Sequence, residues 1–174
     1  MVNWFILSNK RFAMNPKPLT IQPAKENQLL EVLYIIRECA EQLIAKGLTS
    51  WHNTHDDYAA ISLDIRSKYV YLVFIGRIPV GTITIKPDAS DATVSYLDRL
   101  AIFPHYQGRG LAKEMIDFAE AHSRELGFKM LRGIIPIDDD SLCKLLDKKG
   151  FINMGVAPSD SEEFVRMIFE KRLG

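Results

Sequence analysis

The chain has 174 residues, of which 47% are apolar and 25% are charged, and its 22 basic and 22 acidic residues give a formal net charge of zero. This length and composition are ordinary for one globular domain with a hydrophobic core. The balanced charge argues against a nucleic-acid or anionic-membrane binder, which would carry a basic excess. No apolar run in the sequence approaches bilayer-spanning length. From the charge and the run lengths together, we expect neither nucleic acid nor a membrane as a partner.

The two cysteines indicate a reducing setting. Cys39 and Cys143 are far apart in the sequence and form no Cys-x-x-Cys pair, so we expect neither a disulfide framework nor a zinc site. Cys39 falls among the apolar positions of a helical pattern, where a buried thiol behaves as a small hydrophobe. We therefore expect a cytoplasmic protein.

Residues 1–18 precede the predicted domain, which we assign to residues 19–174. An apolar stretch within residues 1–13 is too short for a signal-peptide core, and no small-residue cleavage site follows it. We interpret this segment as an extension. Two alternatives stay open: an upstream start with Met14 as the natural first residue, and an added edge strand or dimer contact.

Hydrophobic periodicity predicts eleven elements in the order β α α β β β α β α β β. Their predicted ranges are 19–23, 24–46, 58–67, 69–75, 80–86, 93–103, 111–126, 129–135, 141–149, 151–156 and 164–170. A hairpin followed by a βαβ unit predicts an α/β domain with a single mixed, mostly antiparallel sheet, whose fourth and fifth strands run parallel. Imperfect alternation over residues 97–101 is typical of two buried faces or of a bulge.

The segment between the first two helices, residues 47–57, contains several residues that could serve chemistry. Trp51 and His52 are candidates for the wall of a substrate pocket. His52, His55 and Asp56 together suggest a metal, but a site needs three or four converging ligands and nothing else nearby supplies them, so we expect none. The alternative is a loop in which Asp56 or Asp57 caps the following helix.

A glycine-bearing loop joins the fourth strand to the third helix. Pro104 ends the strand, and Gln107-Gly108-Arg109-Gly110 then turns the chain into a helix that starts at Leu111. A helix N-terminus offers unpaired N–H groups and partial positive charge, and glycines let a ligand approach the backbone. The loop therefore suits a phosphate, with Arg109 adding a charge, although many such loops are only turns.

The spacing Gln107-x-x-Gly110-x-Ala112, preceded by Leu-Ala-Ile-x-Pro at residues 100–104, resembles the acetyl-CoA signature of the GNAT superfamily of N-acetyltransferases. It matches neither the dinucleotide pattern GxGxxG nor the P-loop pattern. The resemblance implies the acyl-CoA N-acyltransferase fold, with helices on both faces of the sheet. It also implies that the fourth and fifth strands splay apart and that the pantetheine arm of acetyl-CoA, the co-substrate, lies between them.

By the same resemblance, acetyl-CoA is held mostly by backbone groups. An N–H near Leu100 would polarise the acetyl carbonyl. The residues expected to contact this co-substrate are Leu100, Ala101, Ile102, Gln107, Gly108, Arg109, Gly110, Leu111 and Ala112.

Acetyl transfer to an amine needs a base for the amine proton and a proton for the departing thiolate. Tyr96 and Asp98 share a face of the fourth strand under strict alternation and are the candidate bases, with Asp98 the better one chemically. The alternative role of Asp98 is an ion pair with Arg99 or Arg132.

The general acid is where the sequence departs from the family pattern. The run from Leu145 to Phe151 has Leu146 where many members carry a tyrosine, and leucine cannot donate a proton. Cys143, one helical turn earlier, is the remaining candidate acid, with packing as its alternative. Asp139 stands roughly where an asparagine often precedes this helix.

These observations predict an acetyl-CoA-dependent N-acetyltransferase that acts on a primary amine of a small or amino-acid-like molecule. Two alternatives are a non-catalytic CoA-binding module and a phosphate-binding loop unrelated to CoA. Members of the family are often dimers, so a homodimer stays open.

Overall fold

The computed structural model describes residues 18–48, 57–158 and 165–174 of the chain. Within them, seven strands form one sheet in the order β1-β2-β3-β4-β5-β7-β6. The strands are β1 (Leu19–Pro23), β2 (Val70–Ile75), β3 (Ile78–Pro87), β4 (Val94–Ile102), β5 (Met130–Pro136), β6 (Ile152–Val156) and β7 (Arg166–Arg172). The helices are α1 (Leu29–Ala45), α2 (Tyr58–Arg66), α3 (Leu111–Glu125) and α4 (Asp140–Lys148).

The sheet is mixed, as the sequence predicts. All neighbouring strands run antiparallel except β4 and β5, which run parallel because α3 connects them. The predicted α/β class, the single mostly antiparallel sheet and the parallel pair are therefore confirmed.

Helices cover both faces of the sheet, and strand β2 shows how alternation divides them. Val70, Leu72 and Phe74 point into a core shared with α1 and α2, whereas Tyr71 and Val73 point into a core shared with α3. Because both faces are covered, this strand is an apolar run without polar alternation.

The first helix starts later than predicted. Lys25 is extended, with φ −91° and ψ 157°, and a 3₁₀ turn over Glu26–Gln28 precedes α1. Pro23 ends β1 two residues earlier, so the chain has to turn before a regular helix can begin. The predicted cap of the second helix is confirmed for Asp57, whose carboxylate accepts a hydrogen bond from the Ala60 N–H at 2.8 Å.

Strands β4 and β5 pair over only four residues of each, from Val94 with Met130 to Leu97 with Gly133. Beyond that point β4 continues to Ile102 and β5 to Pro136 without a shared register. The two strands therefore separate into a fork that begins at Asp98 and Ile134.

A bulge interrupts β4 beside this fork. Thr84 pairs with Asp98 and Thr82 pairs with Ala101, so Arg99 and Leu100 together stand opposite one residue of β3. The predicted irregularity at residues 97–101 is this bulge. It shifts the side-chain phase by one, so that Leu97 and Ile102 face α3 while Ala101 faces α1.

Candidate functional site

The glycine-bearing loop adopts the conformation that its residues favour. Gly108 and Gly110 have φ values of 72° and 81°, in the left-handed region that only glycine enters freely. Gly110 precedes the first residue of α3, and no side chain caps this helix start. The first N–H groups of α3 therefore face outward from the helix end as an anion-binding surface.

An apolar groove of about 300 Å³ leads away from this loop. Elements that are distant in sequence contribute its walls: α1, the end of β4, the start of α3 and the region around α4. Its lining residues are Cys39, Leu43, Leu100, Ile102, Gln107, Gly108, Gly110, Leu111, Ala112, Lys113, Asp139, Ser141, Leu142 and Leu145. Seven of the nine residues predicted to contact acetyl-CoA thus lie together along one groove.

The other two predicted residues point elsewhere. Ala101 is buried in the core against α1 and α2, so only its backbone is near the groove. Arg109 is exposed, donates to the His105 carbonyl at 3.0 Å and lies 5.2 Å from the centre of the Tyr106 ring. The Arg109 side chain therefore contacts the outer side of the loop and does not line the groove.

Gln107 closes the loop onto the strand that precedes it. Its side-chain amide donates to the carbonyl of Ile102 at 2.9 Å, and its nitrogen lies 3.9 Å from the Cys39 sulfur. Cys39 is buried, as predicted, and burial raises the pKa of its thiol. The thiol therefore packs in its neutral form beside the groove.

A second cavity, of about 430 Å³, opens at the start of the fork and has charged side chains on its wall, so it is more polar than the apolar groove. Its wall includes Leu97, the last residue of β4 that pairs with β5, and Asp98 and Ile134, the first residues beyond that pairing. The remaining lining residues are Lys86, Pro87, Asp88, Ala89, Ser90, Tyr96 and Arg166. Both predicted base candidates, Tyr96 and Asp98, therefore line one cavity, and neither lines the apolar groove.

Ion pairs organise the wall around Tyr96. Arg132 lies 3.4 Å from the Tyr96 hydroxyl, binds Glu170 at 2.6 Å and approaches Asp88 at 3.5 Å. Hydrogen bonds from the Ser90 side chain and backbone hold the pKa of Asp88 below its usual value, so this carboxylate is ionised.

The Asp98 carboxylate is engaged at both oxygens. Its Oδ1 accepts the backbone N–H of Arg99 at 2.9 Å, and its Oδ2 lies 3.3 Å from the Lys86 ammonium. The ion pair expected with Arg99 or Arg132 is thus formed with Lys86 instead. The Arg99 guanidinium turns away and binds Asp64 of α2 at 2.5 Å. Sequence reasoning missed Lys86 and Asp64, because only the strand pairing and the packing of α2 bring them here.

The residues considered for the general acid lie around α4. Leu146 is completely buried in the core against α3, so its position does not face the groove, whereas its neighbours Leu142 and Leu145 do. Cys143 is half-buried outside both cavities, with its sulfur 3.9 Å from the Pro136 carbonyl. Burial and nearby aspartates raise the pKa of the Cys143 thiol, so it stays protonated at neutral pH.

Asp139 both caps α4 and lines the groove. Its carboxylate accepts the Leu142 N–H at 3.1 Å, at the position where an asparagine often precedes this helix in the family. Trp51 and His52, predicted to contact the substrate, lie outside the described residues.

The described residues show neither a metal-binding cluster nor a membrane-spanning helix. No cluster of three or more His, Cys, Asp or Glu side chains in that part of the chain is arranged to hold a metal ion. Among the same residues, none of the helices has the length and apolar character needed to cross a bilayer.

The sequence model of the Acetyltransferase (GNAT) family matches residues 31–151, which include the glycine-bearing loop, the fork and α4. The chain belongs to the GNAT family.

One curated relative is the L-2,4-diaminobutyric acid acetyltransferase of Streptomyces coelicolor, 29% identical over 118 residues. That match covers 59% of this chain and 66% of the relative, slightly less than two thirds of its length.

Solved GNAT structures share the fold at low sequence identity. The ribosomal-protein-S18-alanine N-acetyltransferase of Escherichia coli superposes with a TM-score of 0.72 at 12% identity, over 90% of this chain and 95% of that one. The structure of yncA from Salmonella typhimurium with its cofactor acetyl-CoA gives a TM-score of 0.71 at 12% identity, with the same coverage. These similarities establish the acyltransferase fold of the chain.

Proposed function

We propose that this GNAT protein is an acetyl-CoA-dependent N-acetyltransferase that moves the acetyl group to a primary amine of a small, amino-acid-like acceptor. The observation that carries the proposal is that two cavities of different character flank one fork between β4 and β5. The apolar groove reaches the fork at Leu100, and the polar cavity reaches it at Asp98 and Ile134. Two substrates bound in these cavities would meet there in a ternary complex.

The groove has the chemistry that acetyl-CoA needs. The N–H groups at the start of α3 suit the diphosphate, because they add to the positive end of the helix dipole. Apolar walls formed by residues such as Leu100, Ile102 and Leu142 suit the pantetheine arm. Leu100 lies in the bulge and has no partner in the β3 or β5 register, so its N–H is a candidate donor to the acetyl carbonyl.

The reaction follows from this arrangement. The neutral amine attacks the thioester carbon, a C–N bond forms, and the C–S bond breaks with its electron pair moving to sulfur. Asp98 is 42% exposed at its side chain, and each carboxylate oxygen keeps a further lone pair, so it can accept the amine proton directly or through water. Tyr96 is the second candidate base. The CoA thiolate then takes a proton from solvent or from Cys143, whose role as acid stays a prediction.

The polar cavity favours a small, charged acceptor. Lys86, Asp88 and Arg166 carry charges of both signs around a space of about 430 Å³, which suits an amine that also bears a carboxylate. The curated relative named for L-2,4-diaminobutyric acid is consistent with this class. We propose Trp51 and His52 as further acceptor contacts.

The test combines binding and turnover. Acetyl-CoA should raise the melting temperature, and free thiol should appear when an amine from a panel is added. The panel would hold L-2,4-diaminobutyrate, L-lysine, 1,3-diaminopropane and a short peptide with an N-terminal alanine. Amine-dependent thiol release with acetylated product by mass spectrometry supports the proposal. Failure of acetyl-CoA to bind contradicts it.

A non-catalytic CoA-binding module is the second candidate, and the leucine at position 146 favours it, because the usual proton donor is missing. Calorimetric binding of CoA without thiol release by any amine of the panel would favour this module over the enzyme.

A further inference from the structure

The bulge in β4 is held by a ring of charged groups that includes a residue of α2. Asp64 Oδ2 lies 2.5 Å from the Arg99 guanidinium and 3.5 Å from the Lys86 ammonium. Lys86 in turn contacts Asp98 at 3.3 Å, and Asp98 accepts the Arg99 backbone N–H at 2.9 Å. The side chains of Asp64 and Arg99 are each 12% exposed, so this pair is largely shielded from solvent.

Arg99 needs such support because its backbone is in an unfavourable conformation. Its φ is +47°, a left-handed value that a side chain with a Cβ rarely adopts. Strained residues of this kind persist only where surrounding contacts fix them. The Asp64 carboxylate fixes the side-chain end of Arg99, and the Asp98 carboxylate fixes its N–H.

The conformation of Arg99 decides where the next residue points. Ser95 and Leu97 face α3, so strict alternation would turn Leu100 toward α1 and α2. The extra residue of the bulge reverses that phase: Leu100 packs on the α3 side and lines the groove, and Ala101 takes the other face. Arg99 thus sets the direction of the Leu100 main chain at the fork.

We propose that Asp64 and Arg99 are positioning residues for acyl transfer. Their ion pair holds the bulge so that the Leu100 N–H is directed at the acetyl carbonyl. This inference rests on the proposed function of the fork, and it assigns a role to α2, which contributes no residue to either cavity.

Three variants test the pair. Asp64→Asn removes the charge and keeps the side-chain shape, whereas Arg99→Gly removes the side chain and tolerates the left-handed backbone. The third variant combines both changes. Glu41→Gln is the control, because it changes an exposed ion pair with Arg37 on α1 that shares no residue with this ring of charged groups.

Each variant would be assayed for acetyl-CoA affinity by calorimetry and for kcat with saturating acetyl-CoA and L-2,4-diaminobutyrate, or the most active amine of the panel. We expect Asp64→Asn to lower kcat about 10- to 100-fold, the loss associated with small misplacement of a reacting group, with acetyl-CoA affinity changed less than about threefold. In the Arg99→Gly background, the same change should cause no further loss of kcat.

The outcomes separate the two proposals. Thiol release by the wild type together with an unchanged kcat of Asp64→Asn overturns this inference and leaves the proposed function standing. A full further loss of kcat in the Arg99→Gly background also overturns it, since Asp64 would then act independently of Arg99. No thiol release by the wild type with any amine overturns the proposed function and this inference together.

Discussion

Many GNAT members carry a tyrosine at the position of Leu146. From the fold, we expect that replacing Leu146 with tyrosine does not restore a proton donor facing the groove. The Leu146 side chain is completely buried among residues of α3, β5 and β7. Its backbone is fixed as well, because its carbonyl accepts the N–H groups of Lys149 and Phe151, both at 3.0 Å. A tyrosine side chain at this position would enter the core rather than the groove.

The expected loss of stability has two sources. Inserting a larger ring into a packed core costs about 1–3 kcal/mol. Burying the hydroxyl without a partner costs a further ~1–3 kcal/mol. The sum, about 2–6 kcal/mol, is a large fraction of the 5–15 kcal/mol typical for the unfolding of a domain, as a rough guide. Leu145→Tyr is the matched control, because Leu145 lies one residue earlier, is only half-buried and lines the groove.

Urea unfolding and thiol-release kinetics would measure the two effects. We expect Leu146→Tyr to lower the urea concentration at the unfolding midpoint without changing the m value, and to leave kcat at or below the wild-type value. Leu145→Tyr should lose about 1 kcal/mol or less, because this half-buried side chain lies at the edge of the core and borders the groove. A Leu146→Tyr variant with wild-type stability and a raised kcat would refute the reasoning, because the position would then face the reacting thiolate.

Three further predictions follow from the loop, the core and a helix cap. Gly110→Val and Gly127→Val should destabilise the fold to a similar extent, about 1–2 kcal/mol, since both glycines have left-handed φ values and open space around them. Only Gly110→Val should weaken acetyl-CoA binding measured by calorimetry, and equal effects on binding would contradict the assigned site. His122 contacts the Tyr71 hydroxyl at 2.6 Å, and burial lowers its pKa in the folded state below its usual value of 6.5. The unfolded chain then binds a proton more readily than the folded chain does. The contribution of His122 to stability is therefore complete above pH 6.5 and declines as the pH falls below that value. Unfolding measured across this pH range should show a smaller decline for His122→Gln. Asp57→Ala should cost about 1 kcal/mol through loss of the α2 cap, and thermal unfolding checks it.

Local signals in the sequence were sufficient for most of the elements. Apolar alternation and glycine positions located all seven strands to within about two residues, and the helix over residues 111–126 ends one residue earlier in the structure. The glycine-bearing loop was also predictable. The left-handed φ values at Gly108 and Gly110 are a local requirement of the turn, and glycine is the residue that meets it. The mixed sheet followed from the order of the elements and from the crossover helix.

The arrangement of the site depended on contacts between distant residues. Asp64 and Arg99 are 35 positions apart, and only the packing of α2 against α1 and β2 brings them together. The sequence predicted a bulge but did not indicate which side chains the bulge moves to the other face of the sheet. It also placed Leu146 where many family members carry a tyrosine, with Cys143 one helical turn earlier as the candidate acid, whereas the fold buries Leu146 completely.

The sequence by itself determined the elements, the turn that suits a diphosphate and the membership of a family, because periodicity, glycine and capping residues act over a few neighbouring positions. The tertiary structure alone decided where β4 and β5 stop pairing, which face Leu100 takes and which charges surround Asp98. Those features depend on strand register and helix packing, which are set by the burial of residues far apart in the chain.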